Sequence, residues 1–198
     1  MPSLLEISRE LKSIAEVGLR YTESGYDRQR YERLHVLASE VLQAQAADFV
    51  WPVEFGYTTP KVDVRAAVFR EGRILLVQET ENRLWSLPGG WADVNVTPSE
   101  NVAREVREEA GLEVTPTHLF ACQDRDQHDH TPLPECAYRL FFLCTDPGGD
   151  PVPGFETCGA GFFALDDLPD LCPSRCHPSQ LRLAAEFAAN PSRPAVFD

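Results

Sequence analysis

Apolar residues recur at helical spacing through residues 3–18, as Leu4, Leu5, Ile7, Leu11 and Ile14, and Gly18 reads as the stop. A second helix is predicted over 27–47, with Tyr31, Leu34, Leu37, Ala38, Val41 and Leu42 on one side and charges on the other. Pro52, Gly56 and Pro60 then interrupt an aromatic-rich stretch, which places a boundary between a helical unit, 1–55, and a second unit, 56–198. The pattern beyond it favours strands. Residues 62–69 and 74–78 flank a Glu71-Gly72 turn as a hairpin, and 85–87 forms a short strand before Pro88-Gly89-Gly90. Extended segments follow at 113–122, 137–144 and 161–165, a loop at 146–154, and a closing helix at 180–189. Strands on both sides of one long central helix indicate an α/β or α+β sandwich.

Composition narrows the classes. No apolar run approaches the roughly 20 residues that span a bilayer. No basic segment followed by an apolar core opens the chain, so the cytoplasm is the expected compartment. A net charge of -13 opposes general nucleic-acid binding. A polyanionic substrate would need local positive charge, which divalent cations held by carboxylates supply. Two short helices bury little alone, so a dimer is expected. Cys122, Cys136, Cys144, Cys158, Cys172 and Cys176 include no CxxC pair and are read as free thiols. Cys172, Cys176 and His177 fit no common zinc spacing.

The central helix carries the chemistry. Thr97-Pro98-Ser99-Glu100 is a capping box with Pro at the first helical position, and Gly111 suits the left-handed stop. At about 100° per residue, Glu105, Glu108 and Glu109 share one arc; Val102, Ala103, Val106 and Ala110 fill the arc beside it, leaving Arg104 and Arg107 to the remaining side. Three carboxylates at this spacing repel one another, and a hard cation would reverse the sign. A solvated acidic face is the plainer alternative. The preceding Pro-Gly-Gly loop, whose backbone can approach a ligand closely, favours the metal reading.

Gly90, Arg104-Glu105, Val106, Glu108-Glu109, Gly111 and Leu112 resemble the Nudix box, G-x5-E-x7-R-E-U-x-E-E-x-G-U, over 23 residues in register. Val96 stands where the box has its first Glu, so the usual partner of Arg104 is missing; Glu100, four residues earlier, is the expected substitute. The N-terminal helical pair, the segment 56–65 and Gly89-Gly90-Trp91-Ala92-Asp93-Val94 resemble the Nudix subgroup with an added helical domain, which includes CDP-choline and ADP-ribose pyrophosphatases. The resemblance implies an α/β/α sandwich with a mixed sheet, a homodimer helped by the N-terminal helices, and hydrolysis of a nucleoside diphosphate linked to another moiety.

It further implies Mg²⁺ or Mn²⁺ on Glu105, Glu108, Glu109 and the Gly89 carbonyl, with the general base drawn from the box or from Glu156. Arg65 is expected to reach the substrate. In the run 124–130, Asp124 and His128 are candidate substrate contacts, against a plain polar loop. Trp51, Phe55 and Tyr57 are read as core rather than as base-stacking groups. Two competing functions are a sensor that binds a nucleotide-sugar without cleaving it, supported only by Val96, and an enzyme acting on RNA ends, disfavoured by the net charge.

Overall fold

The computed structural model describes residues 2–43, 46–54 and 56–198, and the chain divides into one compact unit ending at Pro60 and another beginning at Lys61. In the first unit, α1 (Leu4–Tyr21) and α2 (Gly25–Gln43) pack together around Ala38, Leu42 and Trp51, with Leu5, Leu11 and Phe49 against them. Ser3 and Glu6 form a reciprocal cap at the start of α1. Gly18 does not end that helix; it faces the Tyr31 ring, where an added Cβ would lie 2.3 Å from Cε1. Trp51 is buried, its Nε1 donating to Ser8 Oγ at 2.8 Å, while Tyr57 is exposed and not core; Phe55 lies outside the described residues. Residues 44 and 45, where the second helix was expected to continue, also lie outside them.

The second unit is a mixed sheet between two helices. Its strands are β1 (Lys61–Arg70), β2 (Arg73–Glu79), β3 (Trp85–Ser86), β4 (Pro116–Asp124), β5 (Ala137–Cys144), β6 (Thr157–Phe163) and β7 (Val196–Phe197). The order is β3-β2-β1-β5-β4-β7, with β6 paired to β2. Helix α3 (Pro98–Ala110) lays Val102, Val106 and Ala110 on Val64, Ala66, Val68, Leu75 and Val77. Helix α4 (Pro178–Ala189) covers the other face, with Leu181, Ala184 and Phe187 against Ala67, Ile74, Leu76, Phe120 and Phe141. Alternate residues of β1 and β2 thus enter opposite cores, as the two-residue period of a strand requires. This is the α/β/α arrangement expected from the sequence.

The expected hairpin forms only at its turn. Strand β1 meets β2 at Phe69↔Ile74 and Arg70↔Arg73, then runs parallel to β5 from Lys61↔Ala137 to Val68↔Cys144. The opened edge of β1 is taken by the loop after β3: Ala66 N donates to Pro88 O, Val64 N to Gly90 O and Ala92 N to Val62 O, at 2.9, 2.9 and 2.8 Å. Strand β6 starts at Thr157 rather than at 161, and β7 and the 3-10 turn Arg125–Gln127 were not foreseen. The six cysteines are free thiols. Among the described residues no helix is long and apolar enough to cross a membrane.

Candidate active site

The Pro-Gly-Gly loop and α3 are tied to each other by one bond. Glu109 Oε2 accepts from Gly89 N at 2.8 Å, and the carboxylate is only 6% exposed. Gly89 has φ 142°, and a Cβ there would sit 2.0 Å from Val64 O, so only glycine lets the loop press against β1. Burial pushes the Glu109 carboxyl up to about 7, against the pull of the Gly89 N–H and the Arg65 charge. Burial also raises Glu105, which Arg104 offsets and the charges of Glu108 and Glu156 reinforce.

A second strap brings in Glu156. Val152 N donates to Ala110 O at 2.8 Å, Thr157 Oγ1 to Glu109 O at 2.7 Å, and Gly154 N to Thr157 Oγ1 at 2.8 Å. Gly154 crosses the end of α3 so closely that a Cβ would meet Glu108 O at 1.6 Å. The loop before β6 is therefore docked on the helix that carries the glutamates.

Two connected hollows result. One, of about 420 Å³, is lined by Asp93, Arg104, Glu108 and Phe155 together with Trp91, Glu105, Glu109 and Glu156. The other, of about 400 Å³, shares the last four and reaches Asp63, Arg65, Arg139 and Arg175. Glutamates of α3 and of the loop before β6 thus share one hollow with Arg65, Arg139 and Arg175, of which the first is paired with Asp63 and the last with Glu79. Of the residues singled out in the sequence, Glu105, Glu108, Glu109, Glu156, Gly89 and Arg65 meet here. Asp124 and His128 line neither hollow: Asp124 caps the 3-10 turn through Asp126 N, and His128 Nε2 pairs with Asp198 at 3.0 Å.

Arg104 corrects two expectations. It lies across the carboxylate face rather than away from it, 2.9 Å from both Glu105 Oε1 and Glu108 Oε2. Its anchor is not Glu100, which is bonded to Thr97 in the helix cap; Arg104 Nη2 instead reaches Asp93 Oδ2 at 2.8 Å and Asn101 Oδ1 at 3.0 Å. A carboxylate three residues before Val96 and an amide five residues after it occupy the role of the missing glutamate.

Sequence reasoning missed Arg139 and Arg175. Arg139 faces Asp63 across the parallel β1–β5 pair, and Arg175 is held by Glu79 at 2.9 Å. The available signal was a lone Arg within the otherwise apolar Ala137–Cys144 strand. Arg65 itself is forked onto Asp63 through Nε and Nη2, both at 2.7 Å; although burial opposes its charge, Asp63 holds it above the usual arginine range.

Among the described residues no three His, Cys, Asp or Glu side chains already converge as a closed metal cage. The donor set nonetheless suits a hard cation of the Mg²⁺ kind, which takes one or two carboxylates and completes its shell with water, carbonyl and phosphate oxygens. The raised carboxyls of buried Glu109 and half-buried Glu105 are repelling negative charges that such a cation would stabilise.

Comparison with known proteins agrees with this geometry. Residues 59–182 match the NUDIX domain, and residues 2–50 match the UDP-X-like, N-terminal oligomerisation domain. The Bacillus subtilis protein YjhB, provisionally named an ADP-ribose pyrophosphatase, is 41% identical over 98% of this chain and 96% of its own length. The solved structure of an ADP-ribose pyrophosphatase from Streptococcus suis is 44% identical, with a TM-score of 0.65, over 71% of this chain and all of that one. That of a UDP-X diphosphatase is 29% identical, with a TM-score of 0.65, over 98% of both chains. The domain match over more than half the chain, and a relative that aligns along nearly its whole length, show that this protein belongs to the Nudix family of hydrolases acting on phosphoanhydride bonds.

Proposed function

We propose that the protein hydrolyses the diphosphate linkage of a nucleoside diphosphate-X compound, of the ADP-ribose or CDP-choline type, and releases a nucleoside monophosphate. The observation that carries this reading is the shared hollow, which Glu105, Glu109 and Glu156 line together with Arg65, Arg139 and Arg175. Such a cavity complements a diphosphate that meets a cation at one end and guanidinium groups at the other. The names of the relatives, ADP-ribose pyrophosphatase and UDP-X diphosphatase, support the same substrate class.

Glu105, Glu108, Glu109 and the Gly89 carbonyl would hold Mg²⁺ or Mn²⁺, which supplies Lewis-acid stabilisation of phosphoryl charge and lowers the pKa of water. Glu156, on the docked loop, accepts the proton of the attacking water, with Glu108 and Glu109 assisting. Arg104 keeps Glu105 and Glu108 apart and oriented. Arg65, with its fork fixed on Asp63, contributes positive charge at the substrate. Asp124 and His128 would contact only a distal part of the substrate, since they lie outside both hollows. Leu4, Ile14, Tyr21 and Val36 are exposed apolar residues of the helical unit and support a homodimer through that unit, matching the oligomerisation domain found there. The re-anchored Arg104 removes the main argument for a sensor without activity.

The test is product formation from ADP-ribose, CDP-choline, UDP-sugars, nucleoside triphosphates and short RNA, with Mg²⁺ or with EDTA. Metal-dependent release of a nucleoside monophosphate from one of the diphosphate-X compounds is expected. Turnover confined to triphosphates or RNA would overturn the reading.

A further inference from the structure

The turn between β2 and β3, residues 80–83, forms part of the hollow that holds Glu105, Glu109 and Glu156: Glu81 and Asn82 both line it, as does Ser174. This turn is firmly held. Glu79 N donates to Leu84 O and Arg83 N to Glu79 O, both at 3.0 Å, and Gln78 Nε2 donates to Arg83 O at 2.8 Å. Asn82 Oδ1 accepts from Leu84 N at 2.8 Å, which fixes the orientation of the amide; its Nδ2 reaches the Cys172 sulfur at 3.7 Å, a weak acceptor. Thr80 N donates to Glu156 O at 3.1 Å and so ties the turn to the loop that bears the proposed base. The Glu81 side chain, by contrast, belongs to an exposed residue that can be replaced without disturbing these bonds.

Neither Glu81 nor Asn82 is needed to hold the cation or to move a proton. With Ser174 they supply a carboxylate acceptor, an amide donor and a hydroxyl that can act as either. Adjacent sugar hydroxyls, each a donor and an acceptor, match that set. A trimethylammonium group offers no hydrogen bond to any of the three, and Arg65, Arg139 and Arg175 line the same hollow, so its charge gains little there. Resting on the proposed hydrolase reading, we propose that Glu81 and Asn82 are specificity-determining residues that bind the X moiety through adjacent hydroxyls, so that the preferred substrate is a nucleoside diphosphate joined to a sugar or polyol rather than to choline. Glu81 accepts from the hydroxyls and Asn82 Nδ2 donates to one of them. Because the turn is already fixed, binding orders little further.

The experiment measures kcat and KM, with Mg²⁺, for two pairs of compounds that differ only in X: CDP-glucose with CDP-choline, and ADP-ribose with the n-pentyl ester of ADP. Full-length protein, Glu81→Ala and Asn82→Asp are compared; the Asp variant keeps the acceptor for Leu84 N and removes the donor. The parent is expected to prefer the hydroxylated member of a pair by about ten-fold or more, the scale of hydrogen bonds to a charged group. Glu81→Ala should erase most of that preference through KM, and Asn82→Asp should reduce it by about three-fold, the scale of a neutral hydrogen bond. A merely structural defect would slow both members alike, and an equal loss on both overturns the proposal. So does a parent protein that splits the choline or pentyl compound at least as well as its partner; that outcome keeps the hydrolase reading. If no diphosphate is split, calorimetric binding of ADP-ribose with Ca²⁺ decides: binding weakened by Glu81→Ala keeps the hydroxyl-binding role and removes the hydrolase reading, whereas no binding, or binding indifferent to Glu81→Ala, overturns both.

Discussion

Asp93 Oδ2 lies 2.8 Å from Arg104 Nη2, and the fully buried Asn101 touches both residues: its Oδ1 accepts from Arg104 Nη2 and from the Asp93 amide, and its Nδ2 donates to Asp93 O. The Asp93 carboxylate is 63% exposed, and exposed ion pairs contribute about 0–1 kcal/mol. Asn101 is the stronger fixed point. Asn101→Ala should lower the melting temperature and raise the half-saturating metal concentration more than Asp93→Asn does. Metal titration of both variants checks this, and the opposite ranking would refute it.

Glu109→Gln should reduce kcat by at least about 10², the scale of losing one preorganised charged group. A Gln oxygen can still accept from Gly89 N, so in EDTA the variant should unfold no earlier than the parent protein. Activity and thermal unfolding, measured on the same preparation, separate the chemical role from the structural one.

Glu156→Gln and Gly154→Ala should both lose activity, but for different reasons. The first removes the proposed base, a loss of about 10²–10⁴, and leaves the docked loop intact. The second places a Cβ 1.6 Å from Glu108 O and must push the loop off α3, lowering the melting temperature as well. An unchanged melting temperature for Gly154→Ala would contradict the close crossing.

Burial, reinforced by Arg139, lowers His130 to about 4 from its ordinary 6.5. The folded state then binds fewer protons than the unfolded chain between these values. The stability linked to this group is complete above pH 6.5 and is lost as pH falls toward 4, in total on the order of 2–3 kcal/mol. His130→Asn should flatten that part of the pH–stability curve. Urea unfolding of both proteins at pH 7, 5.5 and 4.5 tests it; parallel curves would contradict the assignment.

Phe187 anchors α4 against Phe120, with ring centroids 5.5 Å apart in the core below the sheet. Phe187→Ala should cost about 3–5 kcal/mol while leaving kcat at low temperature near that of the parent, because Phe187 lines neither hollow. Chemical denaturation and a cold activity assay provide the comparison.

The parts of this molecule written in local chemistry were legible. The Thr97–Glu100 cap and Gly111, with φ 69°, bracket α3 as the sequence indicated, and the strand Ala137–Cys144 was read to the residue. Glu105, Glu109 and Glu156 also converge, although the last is distant in sequence. What could not be read depends on pairings across many residues. The parallel register of Asp63 with Arg139 decides that an arginine enters the cavity, and no local pattern encodes it. Glu100 was well spaced to reach Arg104, but the helix cap claimed its carboxylate. The extent of β6 was misjudged because Thr157 reads as loop until its hydroxyl is seen bonded to the Glu109 carbonyl.

The loop after β3 takes the place of a neighbouring strand along β1, through the amides of Ala66, Val64 and Ala92. Loops beside active sites ordinarily open at little cost, on their own timescale. This one is wedged into the middle of the sheet, so it cannot swing away without parting the strands on either side. The amide hydrogens of Val64 and Ala66 should therefore exchange only as slowly as the whole sheet unfolds. The rim that bears Phe155, 99% exposed, takes no part in that pairing.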